Sequence, residues 1–155
     1  IEMLAHAAGI KLRHIPYSGG GPALTAVLGN VVATTAGAPA VLAPQIKAGE
    51  LRALVTTGTV RHSLLPETPT AIELGYKDVE FYLWVGLFAS IKTEEAMLTQ
   101  LRRDVARAAG DSEFVAHMSR LGAPLDVRDA SAFQTFLEKD SQRIAAAIRR
   151  IGRVE

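Results

Sequence analysis

From Lys11 to Tyr82 the chain alternates short β-rich runs with helical segments, and no other feature restricts its fold as much. Lys11–Pro16, Val31–Ala36 and Leu51–Thr57 read as strands. Between them, Pro22–Leu28 and Pro39–Ala48 read as helices. Each starts at a proline, whose missing N–H costs nothing in a first turn, and Gly49 closes the second. Strands alternating with helices predict right-handed βαβ units on a mainly parallel sheet, an α/β fold.

Beyond this region Arg61–Glu67 reads as a polar loop and Pro69–Leu74 as a short helix stopped by Gly75. Val79–Ala89 is an apolar and aromatic run around Trp84, long enough to belong to two sheets in succession. Residues 1–91 hold six basic and six acidic groups, whereas the shorter stretch 92–155 holds eleven and ten. That shift predicts a boundary near Gly86–Ser90, with one lobe over residues 1–85 and a crossover and closing segment over 86–155. Thr93 reads as an N-cap, and Met97, Leu98, Leu101, Val105 and Ala108 recur on one helical face. A further helix starts at Asp111 or Ser112 and carries Phe114, Val115, Met118 and Leu121. Ala123–Val127 reads as a strand, and Ser131–Ile151 as a last helix with Phe133, Phe136, Leu137, Ile144, Ile148 and Ile151 inward. Ile1–Gly9 reads as the end of a helix, which implies sequence before Ile1.

Composition removes several functions. Seventeen Lys and Arg oppose sixteen Asp and Glu, so no basic field gathers nucleic acid or an anionic membrane. There is no cysteine, hence no disulfide, thiolate metal site or cysteine nucleophile, while the compartment stays open. No apolar run reaches the roughly 18 to 20 residues of a membrane-spanning helix. His6, His14, His62 and His117 lack metal-ligand spacing, and Ser18 lacks a Gly-x-Ser-x-Gly elbow. No catalytic residue, metal or cofactor is assigned.

The segment that could hold a ligand is Ile15–Pro22, with Tyr17, Ser18, Gly19, Gly20 and Gly21 between a strand and the helix that starts at Pro22. Glycines let a ligand approach the backbone, and unpaired amides at a helix start attract anions. Ligands of open α/β sheets sit at the carboxyl ends of the strands. Gly37–Ala38, Thr56–Thr57 and the Phe81–Trp84 region are expected to open on the same edge. No Asp or Glu occurs between Glu2 and Glu50, so an anion meets no local repulsion there. Two other readings stay open: a tight turn without ligand, and a small α/β enzyme or nucleotide-binding domain using the glycines for phosphate. No Gly-Lys-Ser/Thr or complete Gly-x-Gly-x-x-Gly pattern accompanies the second.

An ordered series of segments resembles the Bug-type, or TctC-like, extracytoplasmic solute receptors of tripartite tricarboxylate transporters. It comprises His14–Gly19 with Pro22–Leu24, Ile46–Leu54, Leu65–Thr70 with Glu73–Gly75, Trp84–Ala89, and Leu121–Ala123 between the last helices. The resemblance implies the second half of a two-lobed Venus-flytrap protein, with the first half absent from this chain. It implies a periplasmic protein that is not an enzyme, takes small organic anions such as di- or tricarboxylates, and passes them to membrane transporter subunits. Where members often carry an acid, this chain has Ala33 and Gly37–Ala38, which favours plain carboxylates over amino acids. With one short strand under its helices, the 92–155 segment of this chain, taken as the whole polypeptide, is further expected to drive formation of a dimer or larger species, by domain swapping or simple association.

Overall fold

The computed structural model describes residues 1–123 and 125–152. Six helices are found among them: α1 (Glu2–Ala8), α2 (Gly20–Leu28), α3 (Pro39–Lys47), α4 (Glu95–Ala109), α5 (Ser112–Arg120) and α6 (Ala130–Ile151). None is long and apolar enough to cross a membrane.

The helix ends follow local chemistry. Gly9 closes α1 in the left-handed region, where a residue without a Cβ costs least. The Asp111 carboxylate accepts hydrogen bonds from the amides of Glu113 and Phe114, fixing the start of α5. Asp129 does the same for Ala132 at the start of α6. The reading of Thr93 as a cap is corrected: Glu94 occupies that position and α4 begins at Glu95. The short helix expected over Pro69–Leu74 is a single turn. Within it Glu73 accepts from the Thr70 amide at 2.7 Å while the Thr70 hydroxyl accepts from the Glu73 amide at 3.1 Å, and left-handed Gly75 ends it.

The expected parallel sheet is not formed among the described residues. Lys11–Pro16, Val31–Ala36, Leu51–Thr57 and Val79–Ala89 contain no strand, nor does Leu125–Val127; Pro124 of the expected Ala123–Val127 strand lies outside the described residues. A ladder requires the N–H and C=O groups of neighbouring runs to meet. They do so at one parallel bridge between Thr56 and Thr70, where Thr56 N–H donates to Pro69 and Ala71 N–H to Thr56. On the other side Phe81 N–H donates to Thr57. Elsewhere the runs lack this pairing, and several of their apolar side chains stand exposed, Val31 at 72% and Val85 at 96%, against the burial that interior parallel strands receive.

The chain divides into two compact units, Ile1–Leu83 with the residues from Ala145 on, and Trp84–Ile144. In the first unit the buried residues are mostly small: Ala5, Ala26, Ala43, Ala71 and Ala147, with Leu65, Val79, Thr68 and Thr70. The Arg150 guanidinium donates to Asp78 at 2.7 Å, tying the last turns of α6 into this unit. The second unit is organised by rings. Trp84 meets Phe133 and Phe136 edge-on at 5.6 and 5.9 Å, and Phe88 lies 5.8 Å from Phe133. The Trp84 indole N–H donates to Asp140, whose other oxygen accepts from Arg143 at 2.6 Å. Trp84, Gly86 and Phe88 thus share the α6-facing side of an extended run, while Val85 and Leu87 on its other side are bare.

Candidate functional site

The two loops singled out by the glycines and by Gly37–Ala38 lead into α2 and α3, which pack on each other. Gly19 caps α2 with extended backbone, and Ala38 caps α3 with Pro39 in the first turn. A Cβ on Gly20 would lie 3.8 Å from Val41 Cγ1, so the start of α2 sits directly on the first turn of α3. Within the second loop, a Cβ on Gly37 would lie 3.5 Å from Leu42 Cδ1 of α3, the helix it leads into. Two helix starts are therefore brought side by side. The first N–H groups of a helix have no partner within it. Among the described residues, no acceptor is found for the amides of Ser18, Gly19, Gly20, Gly21, Ala38 or Ala40. Adjacent helix N-termini with free amides attract negative charge by their aligned dipoles.

The loop itself carries no formal charge. Tyr17 through Gly21 are all exposed, and the Thr25 hydroxyl donates back to the Gly21 carbonyl at 3.2 Å. None of Gly19, Gly20 and Gly21 lies in the left-handed region, and a Cβ on Gly19 or Gly21 would meet nothing within 4 Å. Neither the conformation nor the packing of this chain demands glycine there. What three consecutive glycines do provide is open access to the amides.

Thr56 and Thr57 are placed differently. The Thr56 hydroxyl donates to the Pro69 carbonyl at 3.5 Å and the Thr57 hydroxyl to the Phe81 carbonyl at 2.8 Å. Both brace the bridge region, as does Tyr82, whose hydroxyl accepts from the Thr59 amide at 3.0 Å. The neighbour of this loop that the sequence does not reveal is Val41. Its only sequence signal is its place in the first turn after Ala38-Pro39, and its contact with Gly20 depends on how α2 meets α3.

Shifted titrations lie away from the glycine loop. The Thr70 amide and then the Arg61 guanidinium, 3.0 Å away, hold the Glu73 carboxyl below its ordinary range. Hydrogen bonding to Arg128 lowers Asp126, and the same contact raises Arg128. No group of three or more His, Cys, Asp or Glu residues that could hold a metal is found among the described residues.

The profile of the tripartite tricarboxylate transporter family receptor matches residues 1–153. The chain belongs to that receptor family. Protein BugT of Bordetella pertussis is 31% identical over 152 residues, covering 97% of this chain and 46% of that protein. The structure of the periplasmic binding protein BugD superposes with a TM-score of 0.84 at 29% identity, covering 99% of this chain and 52% of that one. A Rhodopseudomonas palustris protein solved with adipate superposes with a TM-score of 0.89 at 24% identity, covering 97% of this chain and 50% of that one. The receptor chain described here thus spans about half the length of the relatives it matches, and its backbone follows that of periplasmic binding proteins.

Proposed function

We propose that this receptor chain is the ligand-holding lobe, with its return segment, of an extracytoplasmic solute-binding protein for small organic anions, di- or tricarboxylates above all. The observation that carries the reading is the pair of adjoining helix starts, with free amides at Ser18–Gly21 and Ala38 and no acidic residue between Glu2 and Glu50. Carboxylate oxygens accept from those amides. No bond is made or broken, and the protein acts by capture rather than catalysis. Thr56 and Thr57 belong to the same edge in this reading, shaping it through the backbone they brace.

In the complete fold the runs Lys11–Pro16, Val31–Ala36 and Leu51–Thr57 become strands of a parallel sheet, and two lobes close on the ligand in the Venus-flytrap manner. The closed form is what the membrane subunits of a tripartite tricarboxylate transporter receive, on the outer side of the cytoplasmic membrane. The BugD superposition and the family membership support this arrangement. A phosphate-binding enzyme is the weaker reading, because the glycines are not followed by a Gly-Lys-Ser/Thr pattern and Ser18 lacks the Gly-x-Ser-x-Gly elbow of an activated nucleophile.

Calorimetry of the native gene product with succinate, adipate and citrate, against ATP and NAD, tests the reading. The acids are expected to bind and the nucleotides not. Gly20→Asp places a like charge among the amides, although an acidic residue is otherwise welcome in a helix's first turn. It is expected to lower acid affinity at least about tenfold, the 1.4 kcal/mol scale. Unchanged affinity in a folded variant removes the loop from the site.

A further inference from the structure

We infer that the run from Trp84 to Phe88 is a pre-ordered docking strand for the part of the receptor fold that this chain does not span, and that this part can join it as a separate polypeptide. The inference rests on membership of the receptor family and is independent of the anion site. One face of the run is already packed. Trp84 meets Phe133 and Phe136 and donates to Asp140, and a Cβ on Gly86 would run into Phe133. The other face is bare, with Val85 96% and Leu87 77% exposed. Both backbone edges are open as well: among the described residues no backbone partner is found for the N–H and C=O groups of Trp84 to Ala89. A segment apolar on both faces and unpaired on both edges has the chemistry of a strand inside a covered sheet.

The helices of the same unit repeat the pattern. α4 and α5 pack on each other, yet neither has a buried residue, and Met97, Leu101 and Phe114 remain 41–56% exposed. Amphipathic helices bury such stripes on a sheet. Length indicates what supplies that sheet. The chain spans 46% of BugT, and its backbone follows BugD over 99% of its residues while these faces stay uncovered. A second copy of this chain can cover the apolar face but brings no sheet, because the described residues form a single isolated bridge. The rings of α6 hold the run in place before any partner arrives. Docking therefore adds strands to formed edges, and little ordering entropy opposes it.

The test mixes the 155-residue polypeptide with the remainder of BugT made as a separate chain, with BugT's own matching part as the control. Light scattering is expected to show a one-to-one complex of the two different chains in place of self-association. Hydrogen exchange is expected to slow at the amides of Trp84 to Phe88. Val85→Lys changes a side chain that is almost wholly exposed, so the Trp84 fluorescence of the free chain is expected to stay as in the wild type. The same variant is expected to weaken the complex at least about tenfold, the 1.4 kcal/mol scale. The inference is overturned if the BugT remainder binds its own matching part but not this chain, or if neither pair forms. A complex in which the Trp84–Phe88 amides exchange as before, or which the Val85→Lys chain forms equally well, overturns it too. A self-associated form that Val85→Lys dissolves and the BugT remainder does not displace assigns the face to a second copy instead.

Discussion

Gly21 separates a structural from a ligand-binding explanation of the glycine loop. It lies in the first turn of α2, outside the left-handed region, with open space where a Cβ would go. Gly21→Ala is therefore expected to stabilise the free protein by about 0.4–1 kcal/mol, because the unfolded chain loses freedom that the folded chain never used. In the proposed site the same methyl crowds the amides that would hold the anion, so affinity for carboxylates is expected to fall. Thermal unfolding and calorimetry on one variant check both halves; higher stability with unchanged affinity would show a plain turn. Gly86 makes the opposite case. A Cβ there would lie 2.5 Å from Phe133 Cζ and 3.0 Å from Phe88 Cε2. Phe133 is confined by Trp84 and Phe136, so its ring has little room to yield. Gly86→Ala is expected to cost about 1–3 kcal/mol, the usual penalty of overpacking. Urea unfolding followed by Trp84 fluorescence measures it, and adding Phe133→Leu should restore part of the loss.

At the scale of elements, the turn at Thr70–Gly75 holds the clearest pH-dependent device. Glu73 accepts from the Thr70 amide and pairs with Arg61, which also donates to the Pro66 carbonyl at 3.2 Å. Its carboxyl titrates below the ordinary value of 4.5, so the folded state favours the ionised form. The stability it contributes is present above that value and is lost as pH falls through the depressed folded pKa. The unfolding midpoint of Glu73→Gln is therefore expected to change less than that of the wild type between pH 5 and pH 3. Identical profiles would show that the contact is screened by solvent. Helices were legible in the sequence because their signals are local: Asp111 as a cap, Pro39 at a first turn, apolar spacing along α4 and α6. The strands were not, because Val31–Ala36 or Val79–Ala89 becomes a strand only where another run offers it hydrogen bonds.

For the whole molecule, the second unit exposes what a larger fold would cover. No residue of α4 or α5 is buried, and Val85, Leu87, Phe88 and Ile91 stand at 72% exposure or more. Such a face, beside backbone groups without ladder partners, favours association. The 155-residue polypeptide by itself is thus expected to form a dimer or larger species through its 92–155 segment. Light scattering checks this, and a cooperatively unfolding 16.5 kDa monomer would count against it. What the sequence alone determined is the set of local features: helix positions, the glycine loop, the acid-free stretch and the ordered segments of the receptor family. Each follows from the chemistry of neighbouring residues. What only the tertiary structure decided is the meeting of α2 with α3 that puts Val41 against Gly20, the use of the Thr56 and Thr57 hydroxyls as braces, and the edge-on packing of Trp84 against the rings of α6. Those contacts join residues 21 to 52 positions apart or pair groups across a turn, and a chain reveals them only once packing has chosen which faces meet.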